Sequence, residues 1–313
     1  MASSIAPNPI SPMHRFGVLV LRALMAVFGL VVKLRPKPPA PGPVTNHRYG
    51  DHRDETIEVI PRKPGSPKRT PVVYIHGGGW IAGKKELYTG DLFFLADQGH
   101  PVFNVEYPMA PERPHPAMLR SLLTALEWIR ANYPECESAH FMGDSAGGNL
   151  VAMLGLLSDN PDLVRDIDPD ARPGTAVACA SIVSIYGVLD RLSWIENKFP
   201  LSPAMLSSYA GAAGFEKEVG PELAITPMDL KFGQIPPSYL CAGTKDQLCD
   251  STRLFAKRIE SSKNEVMMSI FEGEAHGFFN LSWRPASQEL RKEILQFISR
   301  HESSGDAATA EVG

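Results

Sequence analysis

Two short stretches carry residue types that could do chemistry together: His76-Gly77-Gly78-Gly79-Trp80 and Gly143-Asp144-Ser145-Ala146-Gly147. The second is a G-x-S-x-G pattern, which sets a serine on a tight strand-to-helix turn where larger flanking residues would obstruct the backbone. A serine hydroxyl is nearly inert at pH 7. Ser145 becomes a nucleophile only if a base takes its proton and donors stabilise the oxyanion that forms on an attacked carbonyl. The triple glycine offers such donors, because amides without neighbouring β-carbons can turn toward a tetrahedral oxygen. The expected oxyanion donors are the backbone N–H groups of Gly78, Gly79 and Ala146, with Gly77 a less favoured third. His76 is expected to hold the loop rather than react, and Trp80 to line an acyl pocket or simply pack. For Asp144, orienting the neighbouring loops competes with a solvated or structural role. Either motif alone is weak, since glycine-flanked serines occur in ordinary turns.

The base and its orienting acid are sought downstream, because a serine on this kind of turn is followed by Asp/Glu and then His, each in a loop at the carboxyl end of a strand. Of nine histidines only His276 and His301 lie far enough along the chain. His301 ends the last helical pattern, so His276, after the apolar run Val266–Phe271, is the expected base; the bland reading is a structural histidine. Asp246 follows the run ending at Ala242-Gly243 and is the expected acid, accepting a hydrogen bond from the imidazole and stabilising the imidazolium. Asp250, just before a helical run, reads as its N-cap.

The elements that must position these residues follow from periodicity. Thr56–Ile60 alternates like an early, partly exposed strand, and residues 61–71 read as a hairpin-like loop. Val72–Ile75, Pro101–Val105, Ala139–Met142, Ala176–Tyr186, Ser238–Ala242 and Val266–Ile270 are apolar strands. Helical spacing covers Leu87–Gln98, Ala117–Tyr133, Asn149–Ser158, Thr252–Ile259 and Ser287–Ser299. Strands alternating with helices imply an α/β fold with a mostly parallel sheet covered on both faces. Two regions break the alternation and are candidates for a lid: the first 45 residues, with a proline-rich connector over 36–43, and residues from about 189 to 235. The main α/β domain is expected over 46–301, and residues 302–313 are expected to be a disordered tail.

Composition narrows the class. A chain of 313 residues fits one large α/β domain, and 43% apolar with 21% charged residues is ordinary for a soluble enzyme. A net charge of −4 without a basic stripe argues against nucleic acid. Cys136, Cys179, Cys241 and Cys249 lack metal or disulfide spacing and read as reduced structural thiols; neither metal nor cofactor is expected. Residues 16–32 are almost wholly apolar but contain Arg22, with His14 and Arg15 before them and Lys33, Arg35 and Lys37 after. A packed cap helix, a membrane-associating segment and a signal peptide compete there, in that order, so the location is read as cytoplasmic or membrane-associated. The expected partners are a small molecule bearing the attacked carbonyl, a membrane surface met by residues 16–32, and a second copy of the chain in a homodimer.

With these residues in hand, the chain resembles the hormone-sensitive-lipase-like branch of the α/β-hydrolases, which includes bacterial esterases, arylacetamide deacetylases and plant gibberellin receptors. The resemblance spans roughly 72–297 and rests on five ordered motifs: His76-Gly77-Gly78-Gly79-Trp80, Tyr107-Pro108-Met109-Ala110-Pro111-Glu112, Gly143–Asn149, Asp246-Gln247-Leu248 and His276-Gly277-Phe278. It implies an eight-stranded sheet, a cap built from the amino terminus and the 189–235 insertion, and hydrolysis of short to medium acyl esters through an acyl-enzyme. Amide, thioester or lactone hydrolysis and acyl transfer in specialised metabolism use the same residues. A gibberellin-receptor-like binding protein is the non-enzyme alternative, disfavoured because His276 is present. Two departures stand out: Pro108-Met109 replaces the family's usual Arg-Leu, which puts a structural arginine's contacts in doubt, and Gln247 replaces proline.

Overall fold

The structure is a computed structural model that describes residues 11–34, 38–168 and 174–302. The strands β1 (Thr45–Arg48), β2 (Thr56–Ile60), β3 (Val72–Ile75), β4 (Val102–Val105), β5 (Ser138–Asp144), β6 (Ala178–Ile185), β7 (Ser238–Gly243) and β8 (Val266–Phe271) form one sheet in the order 1-2-4-3-5-6-7-8. The pairs β1–β2 and β2–β4 are antiparallel, and every pair from β4 across to β8 is parallel.

The period-two alternation of a strand sends neighbouring side chains to opposite faces. Val72 and Tyr74 pack with Phe93 and Leu95 of α2 (Phe93–Asp97) and with Leu290, Ile294 and Phe297 of α9 (Pro285–Ser299). Val73 and Ile75 pack on the other side with α3 (Ala117–Asn132), α4 (Ala146–Asp159) and α8 (Cys249–Ser261). A parallel sheet covered on both faces needs strands that are apolar throughout, and β3 is buried at all four positions. Helix α4 buries every residue from Ala146 to Leu157, so the serine turn at its start is anchored in the centre of the fold.

Above the carboxyl ends of the strands lie α1 (Pro12–Leu34), α6 (Arg191–Glu196) and α7 (Ser202–Ala210), with short 3-10 turns at Gly211–Phe215, Pro221–Leu223 and Pro227–Asp229; α5 (Pro161–Ile167) follows α4. Buried Arg191 knits this insertion together by donating to the Asp229 carboxylate at 3.0 and 3.1 Å and to the Gly214 carbonyl at 3.0 Å. Helix α1 crosses α7 so closely that a β-carbon on Gly17 would stand 2.8 Å from Ala204 Cβ. Among the described residues no helix is long and apolar enough to cross a membrane.

Several expectations are corrected. Residues 61–71 do not make a hairpin, because β2 pairs with β1 and β4 while the wholly apolar β3 takes a central place between β4 and β5. The helical spacing of Leu87–Gln98 yields only α2, preceded by 3-10 turns at Lys85–Leu87 and Thr89–Leu92. Gly90 disfavours the helix interior, and Asp91 is drawn aside by Arg291 at 2.8 Å. Strand β1 carries no apolar alternation and forms by backbone pairing alone at the sheet edge. Asp250 is not an N-cap. Helix α8 starts one residue earlier, at Cys249, and Asp250 lies in its first turn accepting from Asn197 Nδ2 at 3.0 Å. Glu302 is held by Thr70 N–H at 2.8 Å and Arg69 at 3.1 Å, while residues 303–313, where the tail was expected, lie outside the described residues. All four cysteines are free thiols.

Candidate active site

Strand β5 delivers Ser145 at φ 53°, ψ −119°, a backbone conformation that costs a non-glycine residue about 1–3 kcal/mol. The turn is held by Ser145 N–H donating to Ile185 O at 2.9 Å and by Asn149 N–H donating to Ser145 O at 3.1 Å. Gly147 is needed for close approach, since a β-carbon there would lie 2.0 Å from Ile75 O. The pattern of glycines around the serine therefore reflects α4 starting directly against the end of β3.

Three residues from three strand ends converge. His276 Nε2 is 2.9 Å from Ser145 Oγ, and His276 Nδ1 is 2.8 Å from Asp246 Oδ2. A carboxylate can only accept, so the tautomer that satisfies both contacts carries its proton on Nδ1 and leaves Nε2 to accept from the serine hydroxyl. Asp246 is fixed in turn by Leu248 N–H donating to its Oδ1 at 2.9 Å. The His276 side chain is 25% exposed and that of Asp246 is fully buried, so the imidazole reaches solvent while the carboxylate does not. Tyr186 and Phe199 bracket the imidazole at ring distances of 4.7 and 4.9 Å.

The glycine loop is held from below. Gly77 N–H donates to Asp144 Oδ1 at 2.8 Å, and Tyr74 OH donates to the same oxygen at 2.7 Å. Burial raises the Asp144 pKa above the ordinary carboxylate value, against the hydrogen bonds from Tyr74 and Gly77. His76 lies between the rings of Tyr107 and Tyr88, its Nδ1 2.8 Å from Gly77 O and its Nε2 3.3 Å from Glu106. Burial alone would depress the His76 pKa, but the charge and hydrogen bond of Glu106 outweigh it and raise the pKa. Tyr107 OH donates to His76 O at 2.8 Å, which links the Tyr107–Glu112 motif to the loop. Gly78 sits at φ +125°, where a β-carbon would strike Ala82 O at 1.9 Å. Among the described residues the N–H groups of Gly78 and Gly79 donate to no protein acceptor, whereas that of Gly77 is committed to Asp144.

Residues of α6 and α7 pack over this loop with aromatic rings. Trp80 is fully buried and stacks on Tyr209 at 4.3 Å with an interplanar angle of 5°, while Trp194 meets its edge at 5.7 Å. Trp194 also contacts Phe199 at 5.7 Å. Met205 rests on the glycine loop, its Sδ 2.1 Å from where a β-carbon on Gly79 would be. Within residues 189–235, Trp194, Met205 and Tyr209 are buried in the core that reaches the site, with Phe199 and Met228 half-buried against it.

One residue at the edge of the site was missed from sequence. Arg22 of α1 donates through Nε to Ile81 O at 2.9 Å, through Nη2 to Ala110 O at 3.1 Å, and through both terminal nitrogens to the Glu112 carboxylate at 3.0 and 2.8 Å. Arg22 holds the Glu112 pKa below the ordinary value. An arginine thus meets the Ala110-Pro111-Glu112 segment, although residues 108 and 109 are Pro and Met. The signal was a lone charge inside the apolar run 16–32, where a partner favours its retention.

A nucleophile turn, a histidine after the last strand and a glycine loop at the carboxyl edge of a parallel sheet define a hydrolase of the α/β class. The chain belongs to the alpha/beta hydrolase fold family, whose pattern matches residues 72–280. It is similar to the esterase LipC of Mycobacterium tuberculosis, 27% identical over 243 residues, which cover 74% of this chain and 58% of that one. Carboxylesterase NlhH of the same species is 25% identical over 241 residues, covering 73% of each. Among solved structures, esterase B from Lactobacillus rhamnosis superposes with a TM-score of 0.79 over 95% of this chain and 98% of that one, at 18% identity, a likeness of fold.

Proposed function

We propose that the protein is a serine hydrolase of carboxylic esters with short to medium acyl chains. The observation that carries this reading is the continuous Ser145–His276–Asp246 hydrogen-bond chain beside two glycine N–H groups that have no protein acceptor among the described residues. His276 Nε2 takes the proton of Ser145 Oγ as that oxygen attacks the ester carbonyl carbon. The tetrahedral oxyanion is received by the N–H groups of Gly78, Gly79 and Ala146, the last at the start of α4, where helix N–H groups have no partner within the helix. Collapse breaks the bond to the leaving alkoxide, which takes the proton from His276. Water, deprotonated by the same imidazole, then releases the acid and regenerates Ser145. The relatives named as esterases support the ester as substrate, and the apolar ring of Trp194, Phe199 and Met205 supports an aliphatic acyl group of limited length.

A fluorophosphonate probe should label the wild type and not Ser145→Ala. A folded wild type left unlabelled would end this reading. p-Nitrophenyl esters of increasing chain length, assayed beside an anilide and a thioester, should show the highest kcat/KM at short to medium esters; preference for long chains, or for the anilide, would overturn the substrate assignment.

We propose also that α1 rests on an anionic membrane surface. Its outward residues Met13, Phe16, Leu19, Leu24, Val27 and Leu30 are 58–75% exposed, and the apolar run is flanked by His14 and Arg15 before it and by Lys33, Arg35 and Lys37 after it. Apolar burial joined to basic flanks is the combination that holds a helix on acidic headgroups. The chain should co-sediment with vesicles containing phosphatidylserine and be released by Phe16→Glu with Val27→Glu. Equal recovery with and without vesicles, or a lipid-free dimer that the same substitutions dissociate, would overturn it.

A further inference from the structure

A cluster of potential metal ligands stands at the opposite edge of the sheet from Ser145. His140 lies near the start of β5, five residues before Ser145 and so about 17 Å from it along the strand. His100 precedes β4, and Glu302 follows α9. The ligand atoms of the three side chains lie within 4.8 Å of one another. The imidazoles are 1% and 0% exposed and cross at 70° with centroids 5.9 Å apart.

Each imidazole has one nitrogen engaged. His100 Nδ1 is 2.8 Å from Thr70 O, an acceptor only, so it carries the proton and Nε2 is left with its lone pair. That Nε2 is 3.8 Å from Glu302 Oε1. His140 Nδ1 is 2.8 Å from Ser181 Oγ, and its Nε2 is buried without a hydrogen-bond partner among the described residues. A buried polar atom left unpaired is destabilising, so its retention asks for an explanation. Ligating histidines characteristically donate their other N–H to a carbonyl, as His100 does here.

We propose that His100, His140 and Glu302 bind a divalent transition-metal ion of the zinc type, which ties the end of α9 to the amino-terminal edge of the sheet. Two neutral imidazoles and a carboxylate are a known zinc donor set, with the fourth position left to water. Ligand atoms of a filled tetrahedral zinc site stand about 3.4 Å apart, so the three groups must draw together from their present spread. Glu302 Oε1 also accepts from Arg69 Nη1 at 3.1 Å and Oε2 from Thr70 N–H at 2.8 Å; ligation requires Oε1 to leave the guanidinium. None of this was legible from sequence, because the ligands come from three separated segments without motif spacing.

Titration calorimetry of the chelator-treated full chain with Zn²⁺ should show one site of micromolar or tighter affinity. Thermal unfolding should shift upward by several degrees on adding Zn²⁺. His140→Gln should abolish both effects and Glu302→Gln should weaken binding at least tenfold, with ester turnover kept. A wild type that binds no Zn²⁺ at millimolar concentration, or variants that bind it unchanged, would overturn the assignment. Cobalt(II) loading of the wild type requires no variant: visible d–d bands are expected, and thiolate-to-cobalt charge-transfer absorption would move the metal to a cysteine and refute the site.

Discussion

Gly77 N–H donates to Asp144 Oδ1 at 2.8 Å, so the residue immediately before the serine holds the loop that faces it. The two motifs are separated by more than sixty residues, yet one carboxylate couples their positions. Asp144 also takes the Tyr74 hydroxyl at 2.7 Å, which anchors the coupling to β3.

Asp144→Ala leaves Gly77 N–H and Tyr74 OH without their acceptor and frees the loop. Each unpaired buried donor costs about 1–3 kcal/mol of stability, and loss of one aligned oxyanion donor costs about 10²–10³ in turnover. The expected outcome is a fall in kcat of about 10²-fold with KM little changed, and a lowered Tm. Asp144→Asn keeps one carbonyl acceptor and should recover most of both. A folded Asp144→Ala variant with wild-type kcat would show that the loop keeps its place without the carboxylate.

Asp246→Asn preserves shape but can offer its amide N–H to His276 Nδ1, which favours the tautomer protonated on Nε2 and disables the base. Turnover should fall about 10³–10⁴-fold with the fold intact. Steady-state kinetics beside a thermal melt would check this, and a loss below tenfold would remove Asp246 from the relay.

Arg22→Ala cuts the tie between α1 and the Ile81–Glu112 region. Lysine cannot reproduce the bidentate contact with Glu112, so Arg22→Lys should rescue only in part. Limited proteolysis should begin within α1, and KM should rise more than kcat falls, because α1 packs chiefly on α7. Unchanged protease resistance in Arg22→Ala would contradict the tie.

His115 provides the pH signature. It is buried against Tyr209, and burial pushes its pKa down to about 4 from an ordinary 6.5. Between those values the unfolded chain binds a proton that the folded chain refuses, so stability present above pH 6.5 is lost as pH falls toward 4. The loss is on the order of 3 kcal/mol. Tm measured from pH 7.5 to 4 should fall less steeply for His115→Gln than for the wild type; parallel profiles would rule out this origin.

Much of the site was legible because its determinants are local. The turn glycines surround Ser145 within five residues, and chain order together with a place just after an apolar strand selected Asp246 and His276 as candidates. Strands β3 to β8 announced themselves through mostly apolar runs. The failures share a cause. Leu87–Gln98 has helical spacing, but Arg291, two hundred residues away, draws Asp91 out of it. Strand β1 has no apolar signal, because an edge strand can form through backbone pairing with β2 alone. Asp250 yields the start of α8 to Cys249 because the preceding residues are already organised by Asp246 and Leu248.

By itself the sequence pointed to the class of enzyme and to the candidate residues, since a serine turn, a glycine loop and a Ser–Asp–His order are properties of short segments. Only the tertiary structure decided that Gly77 is spent on Asp144, that Arg22 reaches Glu112 from α1, and that His100, His140 and Glu302 meet at the far edge of the sheet. Each of these is a contact between segments distant in the chain. Such contacts depend on how the elements pack, which periodicity and spacing do not encode.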